Sequence, residues 1–354
     1  MADQKYVAYV GSYTYTGKAK GITIFDVDVE HGNFIRRGEI EAANPSDIMT
    51  THDRKTLYSI SDEGVVSWKI LDDGSLEQMN KRKINGMRGH HLSVDYTDNF
   101  LFVSGYHDGK LTVLKLNDDG SLGPVIDGVF HKGLGSIAER GSRPHITCAK
   151  ATPDGKFVLT ADPGIDQVGI YRFSGKPHDL KLVDAIRPER GSSPCWFTFS
   201  RDNRFLYLMY DYSNRIDVFR YSIAKNGMPE FEKIQQVVST GKNKPAHLSA
   251  ATCITFSKND AYVFCGSAGD NTVTMFKRDA ETGLLDPLFN LPVSGELPKE
   301  IVIFPGGEFL VSVNHESGTL TFFRINYQKN ILIMSNAEQP VPQPNCCLIV
   351  PIKG

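Results

Sequence analysis

Three short strand-like patterns recur in a fixed order along the 354 residues of this chain, and the first of them reappears at the C-terminus. The most regular pattern is an apolar run with a bulky side chain near its end. The aligned bulky residues are Phe25, Trp68, Leu114, Tyr171, Phe219, Phe276 and Phe323. Six intervals separate the first from the last, so the repeat length is about 50 residues. Such a period predicts one small structural unit copied many times.

The other two patterns also predict β-strands. Segments such as YVAYVGS (6–12) and RFLYLMYD (204–211) precede the apolar runs and are rich in residues that favour strands. The remaining pattern ends in turn sequences such as TPDGK (152–156), which suit a tight hairpin into the next strand. We therefore predict an all-β chain of seven blades, each with four antiparallel strands.

The two ends of the chain carry the parts of one incomplete repeat. The first repeat begins at Tyr6 without its leading segment, and PNCCLIVPIKG (344–354) supplies that segment. We predict that the C-terminal strand joins the N-terminal blade and closes a ring, which makes residues 1–354 a single seven-bladed β-propeller domain. The alternatives are a pair of all-β sandwiches or a solenoid, and a solenoid needs caps rather than matched ends.

Composition excludes several classes of partner. The chain has 39 basic and 41 acidic residues and no basic block, so no nucleic-acid partner is expected. It shows no apolar stretch long enough for a signal peptide or a membrane span, so we expect a cytoplasmic protein without a membrane partner. The six cysteines include no CxxC pair, and we expect reduced thiols, no metal and no other cofactor. We expect a monomer or a weak homodimer.

Charged residues concentrate in the loops that a propeller opens on one face. These are the loops entering the first strand of each blade and the loops joining its second and third strands. The longest entering loop, 127–145, carries Glu139, Arg143 and His145. Long loops are often functional, and the alternative is an exposed insertion. His145 is either a general base near neutral pH or a structural residue at a strand end.

A second long loop, 237–250, carries Lys242 and Lys244. These lysines either hold an anionic group as point charges or face solvent. The candidate substrate-binding residues on the predicted face are His91, Glu139, Lys242, Lys244, Lys299 and His315. The lysines of this set would suit an anionic group on a ligand.

The segment PHITCAKATPDGKFVLTADPGIDQVGIYRF (144–173) resembles the seven-bladed propeller lactonases. That family includes a bacterial type of 6-phosphogluconolactonase and the fungal carboxy-cis,cis-muconate cyclase. Its pattern is a Pro-His pair, a PDGK-type turn and Asp-x-Gly-x-Asp before an apolar strand. The matching residues are Pro144, His145, Pro153, Asp154, Gly155, Asp162, Gly164 and Asp166. The resemblance implies a propeller fold and lactone chemistry.

The chain departs from the family pattern at four positions. Thr147 stands where the family often has a second His, and Asp211 stands where it has Glu. Cys195 and Ala268 take the places of two family arginines that are suited to an anionic substrate. The departures leave the identity of the substrate open, because one fold hosts many functions.

The resemblance implies a carboxylic-ester hydrolase that opens a sugar-acid lactone, with 6-phosphogluconolactone the first candidate. Such an enzyme belongs to carbohydrate metabolism and the pentose phosphate pathway. We predict His145 and Asp211 as base and orienter, and Arg143 as the group that stabilises the oxyanion or binds the anionic tail. No GxSxG motif is present, which fits direct attack by water. The alternatives are a diverged protein that binds a small anion or a protein partner, or a muconate-type cyclase.

Overall fold

The computed structural model describes residues 4–135, 143–240 and 249–353. These residues form 29 β-strands and no helix, so the described part of the chain holds no helix able to cross a membrane. The Cα positions separate into two compact units. The first contains residues 1–27, 34–193 and 346–354, and the second contains residues 28–33 and 194–345. The single domain expected from the sequence stays a prediction.

The first unit contains four four-stranded antiparallel sheets. Their hydrogen-bonded orders are β29-β1-β2-β3, β4-β5-β6-β7, β8-β9-β10-β11 and β12-β13-β14-β15. The strands are β1 (Lys5–Ser12), β2 (Gly21–Asp28), β3 (Asn33–Glu41), β4 (Ile48–Thr50), β5 (Thr56–Ser61), β6 (Gly64–Ile70), β7 (Leu76–Lys83), β8 (His91–Val94), β9 (Phe100–Gly105), β10 (Lys110–Leu116), β11 (Leu122–Phe130), β12 (Cys148–Ala151), β13 (Phe157–Asp162), β14 (Gln167–Arg172), β15 (Lys181–Ile186) and β29 (Pro344–Ile352).

The second unit contains three further antiparallel sheets, one of which has a fifth, two-residue strand. Their orders are β16-β17-β18-β19, β20-β21-β22-β23 and β24-β25-β26-β27. The strands are β16 (Pro194–Phe199), β17 (Phe205–Tyr210), β18 (Arg215–Ile223), β19 (Pro229–Val238), β20 (Ala250–Phe256), β21 (Tyr262–Ala268), β22 (Thr272–Arg278), β23 (Leu285–Pro292), β24 (Pro298–Ile303), β25 (Phe309–Asn314), β26 (Thr319–Asn326), β27 (Ile331–Met334) and β28 (Gln339–Pro340). The described residues therefore form the predicted seven sheets.

The C-terminal strand completes the N-terminal sheet, as the matched chain ends predicted. β29 lies beside β1 at the start of the first sheet. Cys346, Val350 and Ile352 of β29 join one buried cluster with Val7 of β1 and Trp68 of β6. The exchange is stabilised by apolar burial as well as by the strand ladder.

The hydrophobic core is divided among the spaces between successive sheets. One cluster, for example, packs Tyr58 and Ile60 of the second sheet against Leu101, Val103 and Leu114 of the third. All seven aligned bulky residues of the repeat are buried, which confirms that the repeat records core positions. Because successive sheets of one unit cover each other, each unit buries several small interfaces instead of one large centre.

The turn sequences between first and second strands form a repeated hydrogen-bonded hairpin. Thr152 Oγ1 donates to the Asp154 carboxylate at 2.5 Å and accepts the Phe157 N–H at 3.2 Å. Thr51 makes the same pair of bonds with Asp53 and Thr56, at 2.7 and 3.2 Å. A hydroxyl followed two residues later by a carboxylate thus satisfies the backbone of a tight turn, which is why these residue types recur there.

The seventh sheet differs from the predicted four continuous strands. Its outer position is occupied by two short strands, β27 and β28, which both pair with β26. Met334 pairs with Phe323, and Pro340 pairs with Thr319. Pro340 has no N–H to donate to a ladder, so a short edge strand is the position that suits it.

Candidate active site

The loop that carries His145 is held against two glycines of the first unit. A Cβ atom on Gly164 would lie 2.1 Å from the Arg143 carbonyl oxygen and 2.9 Å from His145 Cδ2. A Cβ atom on Gly109 would lie 2.5 Å from Pro144 Cβ. Real side chains do not fit at such distances, so glycine at both positions permits the loop to approach the β9–β10 and β13–β14 turns.

Two hydrogen bonds orient His145. Its backbone N–H donates to Asp162 Oδ1 at 2.8 Å, and its Nδ1 lies 2.6 Å from the carbonyl oxygen of Tyr106. The imidazole also stacks on the Tyr106 ring, with centroids 4.4 Å apart and planes 18° apart. A carbonyl oxygen only accepts, so Nδ1 carries the proton. In the neutral ring Nε2 therefore holds the lone pair, as a general base requires.

Asp162 belongs to a buried network that sequence reasoning did not find. Its Oδ1 accepts the N–H groups of both His145 and Gly164, and its Oδ2 lies 2.7 Å from His131 Nδ1. His131 Nε2 is in turn 3.2 Å from Thr160 Oγ1. The His131 and Asp162 side chains are 1% and 0% exposed. His131 lies in the 127–145 loop and Asp162 in the Asp-x-Gly-x-Asp pattern, but no spacing rule links the two in the sequence.

Three basic side chains cluster near His145. Arg143 is exposed on the same loop, and Arg88 lies on the loop entering β8. The pKa of His107 is lowered by partial burial and by the positive charges of Arg88 and Arg143. Sequence reasoning missed Arg88, although its place three residues before the predicted His91 was a usable signal. The backbone contacts agree with this clustering, because Met87 N–H donates to Asp108 at 2.8 Å and a Cβ on Gly109 would lie 2.5 Å from Pro144 Cβ. The chain segments that carry Arg88, His107 and Arg143 are therefore adjacent.

His91 lies inside the first unit rather than on an open loop. It is the first residue of β8 and is 4% exposed. Its Nδ1 accepts the Ala149 N–H at 3.5 Å, and burial together with the charge of Lys150 holds its pKa well below the usual range. Its burial lends no support to the substrate-binding role predicted for His91.

The second unit brings Lys299 and His315 together. His315 Nδ1 donates to the Pro344 carbonyl at 3.1 Å. Burial lowers the pKa of both side chains, the nearby Lys299 charge lowers that of His315 further, and Glu316 opposes both shifts. Their substrate-binding role stays a prediction.

The remaining predicted site residues are not brought into this cluster. Asp211 follows β17 in the second unit and is half-buried, whereas His145 belongs to the first unit, so their pairing stays a prediction. Glu139, Lys242 and Lys244 lie outside the described residues.

Three of the four positions that depart from the family pattern hold uncharged side chains. Cys195 Sγ lies 3.5 Å from the Met209 carbonyl and 3.8 Å from the Ala251 carbonyl. Ala268 ends β21 and is buried, and Thr147 is buried beside Ala161. The cations near His145 therefore come from other positions. Among residues 4–135, 143–240 and 249–353, no group of three or more His, Cys, Asp or Glu side chains is placed to hold a metal ion.

Comparisons with known proteins agree with this architecture. Residues 7–349 match the family model described as "Lactonase, 7-bladed beta-propeller". The 6-phosphogluconolactonase of Bacillus subtilis is 29% identical over 356 residues, which cover 97% of this chain and 97% of that protein.

Two solved structures superpose over nearly the whole chain. A Bacteroides fragilis protein described as a candidate 6-phosphogluconolactonase has a TM-score of 0.89 and 26% identity, covering 99% of both chains. The periplasmic gluconolactonase of Pseudomonas aeruginosa has a TM-score of 0.90 and 24% identity, covering 98% of this chain and 99% of that one, and its likeness bears on the fold alone. The protein therefore belongs to the lactonase family of seven-bladed β-propellers, and its seven antiparallel sheets are the blades of that fold.

Proposed function

We propose that this protein hydrolyses a sugar-acid lactone, with 6-phosphogluconolactone as its preferred substrate. The observation that carries the proposal is the contact between His145 Nδ1 and the Tyr106 carbonyl oxygen at 2.6 Å. This contact leaves Nε2 of the neutral ring as a base beside a cluster of cations. Such a pairing suits the attack of water on an ester and the stabilisation of the negative charge that develops.

The proposed reaction begins when His145 Nε2 removes a proton from a water molecule while the water oxygen attacks the lactone carbonyl carbon. Arg143 stabilises the oxyanion of the tetrahedral intermediate, since guanidinium donors suit a developing negative oxygen. The bond between the carbonyl carbon and the ring oxygen then breaks. The imidazolium returns its proton to the leaving alkoxide, and the product is an open-chain hydroxy acid.

The Tyr106 carbonyl already occupies the position on Nδ1 that an orienting carboxylate would take. The mechanism proposed for His145 therefore needs no second orienter. The catalytic role predicted for Asp211 stays a prediction, separate from this step.

The preference for a phosphorylated lactone is supported by the names of the relatives, 6-phosphogluconolactonase among them. It is also supported by the charge around His145, where the positive charges of Arg88 and Arg143 both act on His107. A cytoplasmic location and a place in the pentose phosphate pathway are part of the same proposal.

The test is hydrolysis of freshly generated 6-phosphogluconolactone by purified protein, corrected for spontaneous opening. Removal of a general base lowers the rate by roughly 10²- to 10⁴-fold, so we expect a loss of that size in kcat for His145→Gln. The matched control is His31→Gln, because the His31 side chain is 70% exposed and pairs with nearby Asp28. Full turnover in His145→Gln, with the control also active, would refute the role of His145.

A further inference from the structure

We propose that Arg88, His107 and Arg143 form an anion subsite that binds the phosphate group of the substrate beside His145. The inference rests on the proposed lactonase function for its substrate, although the anion site itself is testable without turnover. Arg88 and His107 are new to the candidate site.

The Arg88 side chain is held in place by its neighbours but keeps N–H donors that have no close acceptor among the described residues. Its guanidinium carbon lies 4.8 Å from the centre of the Tyr13 ring, a cation–π distance. Its Nη1 lies 3.9 Å from Asp62 Oδ1, too far for a hydrogen bond. Arg88 Nε is buried and has no hydrogen-bond partner among the described residues. A guanidinium has five N–H donors. A buried N–H without an acceptor is energetically costly, and a bound ligand could supply that acceptor.

The neighbouring carboxylates do not neutralise this cluster closely. Asp62 Oδ1 already accepts the side-chain amide of Asn44 at 2.8 Å. Asp108 accepts the backbone N–H groups of Met87 at 2.8 Å and Lys110 at 3.3 Å. Both carboxylates are thus occupied in holding loops. Neither carboxylate makes a close ion pair with Arg88, whose Nη1 lies 3.9 Å from Asp62 Oδ1, so the guanidinium stays open to an entering anion.

His107 and Arg143 extend the cluster toward the base. The Tyr106 ring contacts His145 on its face at 4.4 Å and meets His107 edge-on at 5.5 Å. The charges of Arg88, Arg143 and His145 all act on His107 and favour its neutral form, while Asp108 acts in the opposite sense. A bound phosphate would act on the pKa of His107 in the same sense as Asp108, because a negative charge favours the protonated ring.

A phosphate monoester fits this arrangement better than a carboxylate does. It brings about two negative charges and three acceptor oxygens, enough for two guanidinium groups and one imidazole at once. A carboxylate has two oxygens and one charge. The chemistry of the subsite therefore selects a lactone that carries a phosphate group over the corresponding unphosphorylated sugar lactone.

The deciding experiment compares Arg88→Gln with wild type on 6-phosphogluconolactone and on unphosphorylated glucono-1,5-lactone. Loss of a hydrogen bond between charged groups lowers kcat/KM by roughly 10- to 100-fold, and we expect this only for the phosphorylated lactone. Arg88→Lys should restore part of the loss, since it keeps the charge but not the planar fork. Arg36→Gln is the control, because Arg36 lies on outer strand β3 in a surface pair with Glu39.

The subsite would be overturned if Arg88→Gln lost the same factor of kcat/KM on both lactones. It would also be overturned if the wild type hydrolysed the unphosphorylated lactone but not the phosphorylated one. If wild type opens neither lactone, the proposed function has failed and a binding readout decides the subsite. In that case the Tm is measured in inorganic phosphate and in NaCl at equal ionic strength. A phosphate-specific rise in wild type that Arg88→Gln abolishes supports the subsite, and a rise that is absent or survives in the variant refutes it.

Discussion

At the scale of single residues, the geometry of His145 is set by groups that need not touch a substrate. Asp162 holds its backbone, the Tyr106 carbonyl holds its Nδ1, and Gly164 leaves room for its loop. Asp162 is itself fixed by the buried His131. A candidate base thus depends on four positions, of which only Asp162 and Gly164 belong to the pattern quoted from the sequence.

We predict that Gly164→Ala lowers lactone hydrolysis by about tenfold or more, because displacement of a reacting group by about 1 Å has effects of that order. The added Cβ would meet the Arg143 carbonyl at 2.1 Å and His145 Cδ2 at 2.9 Å. Steady-state kinetics measure the effect. Gly38→Ala is the control, since a Cβ there meets nothing within 4 Å. Unchanged kcat in Gly164→Ala would show that the loop tolerates the displacement.

A second prediction at this scale concerns pH. The buried His91 has a pKa well below its usual value of about 6.5, so the unfolded chain binds a proton that the folded chain does not. Stability therefore falls as the pH falls below about 6.5, by about 1.4 kcal/mol per pH unit from this residue, until the folded pKa is reached. His91→Gln should flatten the dependence of the unfolding free energy on pH.

Denaturant unfolding between about pH 5 and pH 7.5 measures that slope. His178→Gln is the control, because His178 is exposed and its replacement should leave the slope as it is. An identical slope in wild type and His91→Gln would mean that His91 is protonated without penalty in the folded protein.

At the scale of strands, a repeated hydrogen bond links one sheet to the next. A tyrosine of a sheet's second strand donates to a glycine carbonyl in the turn before the next sheet's fourth strand. Tyr9 reaches Gly74 at 2.8 Å, Tyr58 reaches Gly120 at 2.6 Å and Tyr207 reaches Gly283 at 2.8 Å. All three glycines have positive φ angles, between 77° and 82°. Glycine at this turn therefore serves both the backbone conformation and the contact between sheets.

Removal of one such hydroxyl should destabilise the protein modestly. In Tyr58→Phe the Gly120 carbonyl loses its donor, and we expect the free energy of unfolding to fall by about 1 kcal/mol. The midpoint of urea unfolding measures it. Tyr96→Phe serves as the control, since Tyr96 is 49% exposed. Equal midpoints for Tyr58→Phe and wild type would show that water replaces the bond.

At the scale of the whole molecule, the C-terminus is a structural part of the N-terminal sheet. β29 supplies the position next to β1, and its buried side chains include Cys346, Cys347, Val350 and Ile352. Burial of each large apolar side chain contributes about 1.5–3 kcal/mol. Those contributions are comparable with the net stability of a typical protein, about 5–15 kcal/mol.

We therefore predict that deletion of residues 345–354 abolishes cooperative folding or lowers the Tm severely, because it also exposes the edge of β1. Deletion of residues 353 and 354 alone should change little, since Lys353 is exposed. Circular dichroism during heating and the soluble yield measure both variants. A ten-residue deletion with the wild-type Tm would show that β29 is dispensable.

By itself, the sequence determined the number of sheets, the order of their strands, the buried bulky positions and the partner of the C-terminal strand. These features follow from strand propensity, turn chemistry and a period of about 50 residues, all of which are local in the chain. The resemblance around 144–173 also directed attention to the loop of His145.

The tertiary structure alone decided which side chains meet. It paired His131 with Asp162 and gave His145 the Tyr106 carbonyl as a partner. It also brought Arg88 near His107 and placed His91 in the interior. The first three contacts join residues that lie between 19 and 39 positions apart in the sequence. The burial of His91 depends on which face of its strand is covered by other sheets. Loop paths and burial are set by packing of whole sheets, so no pattern within one repeat encodes them.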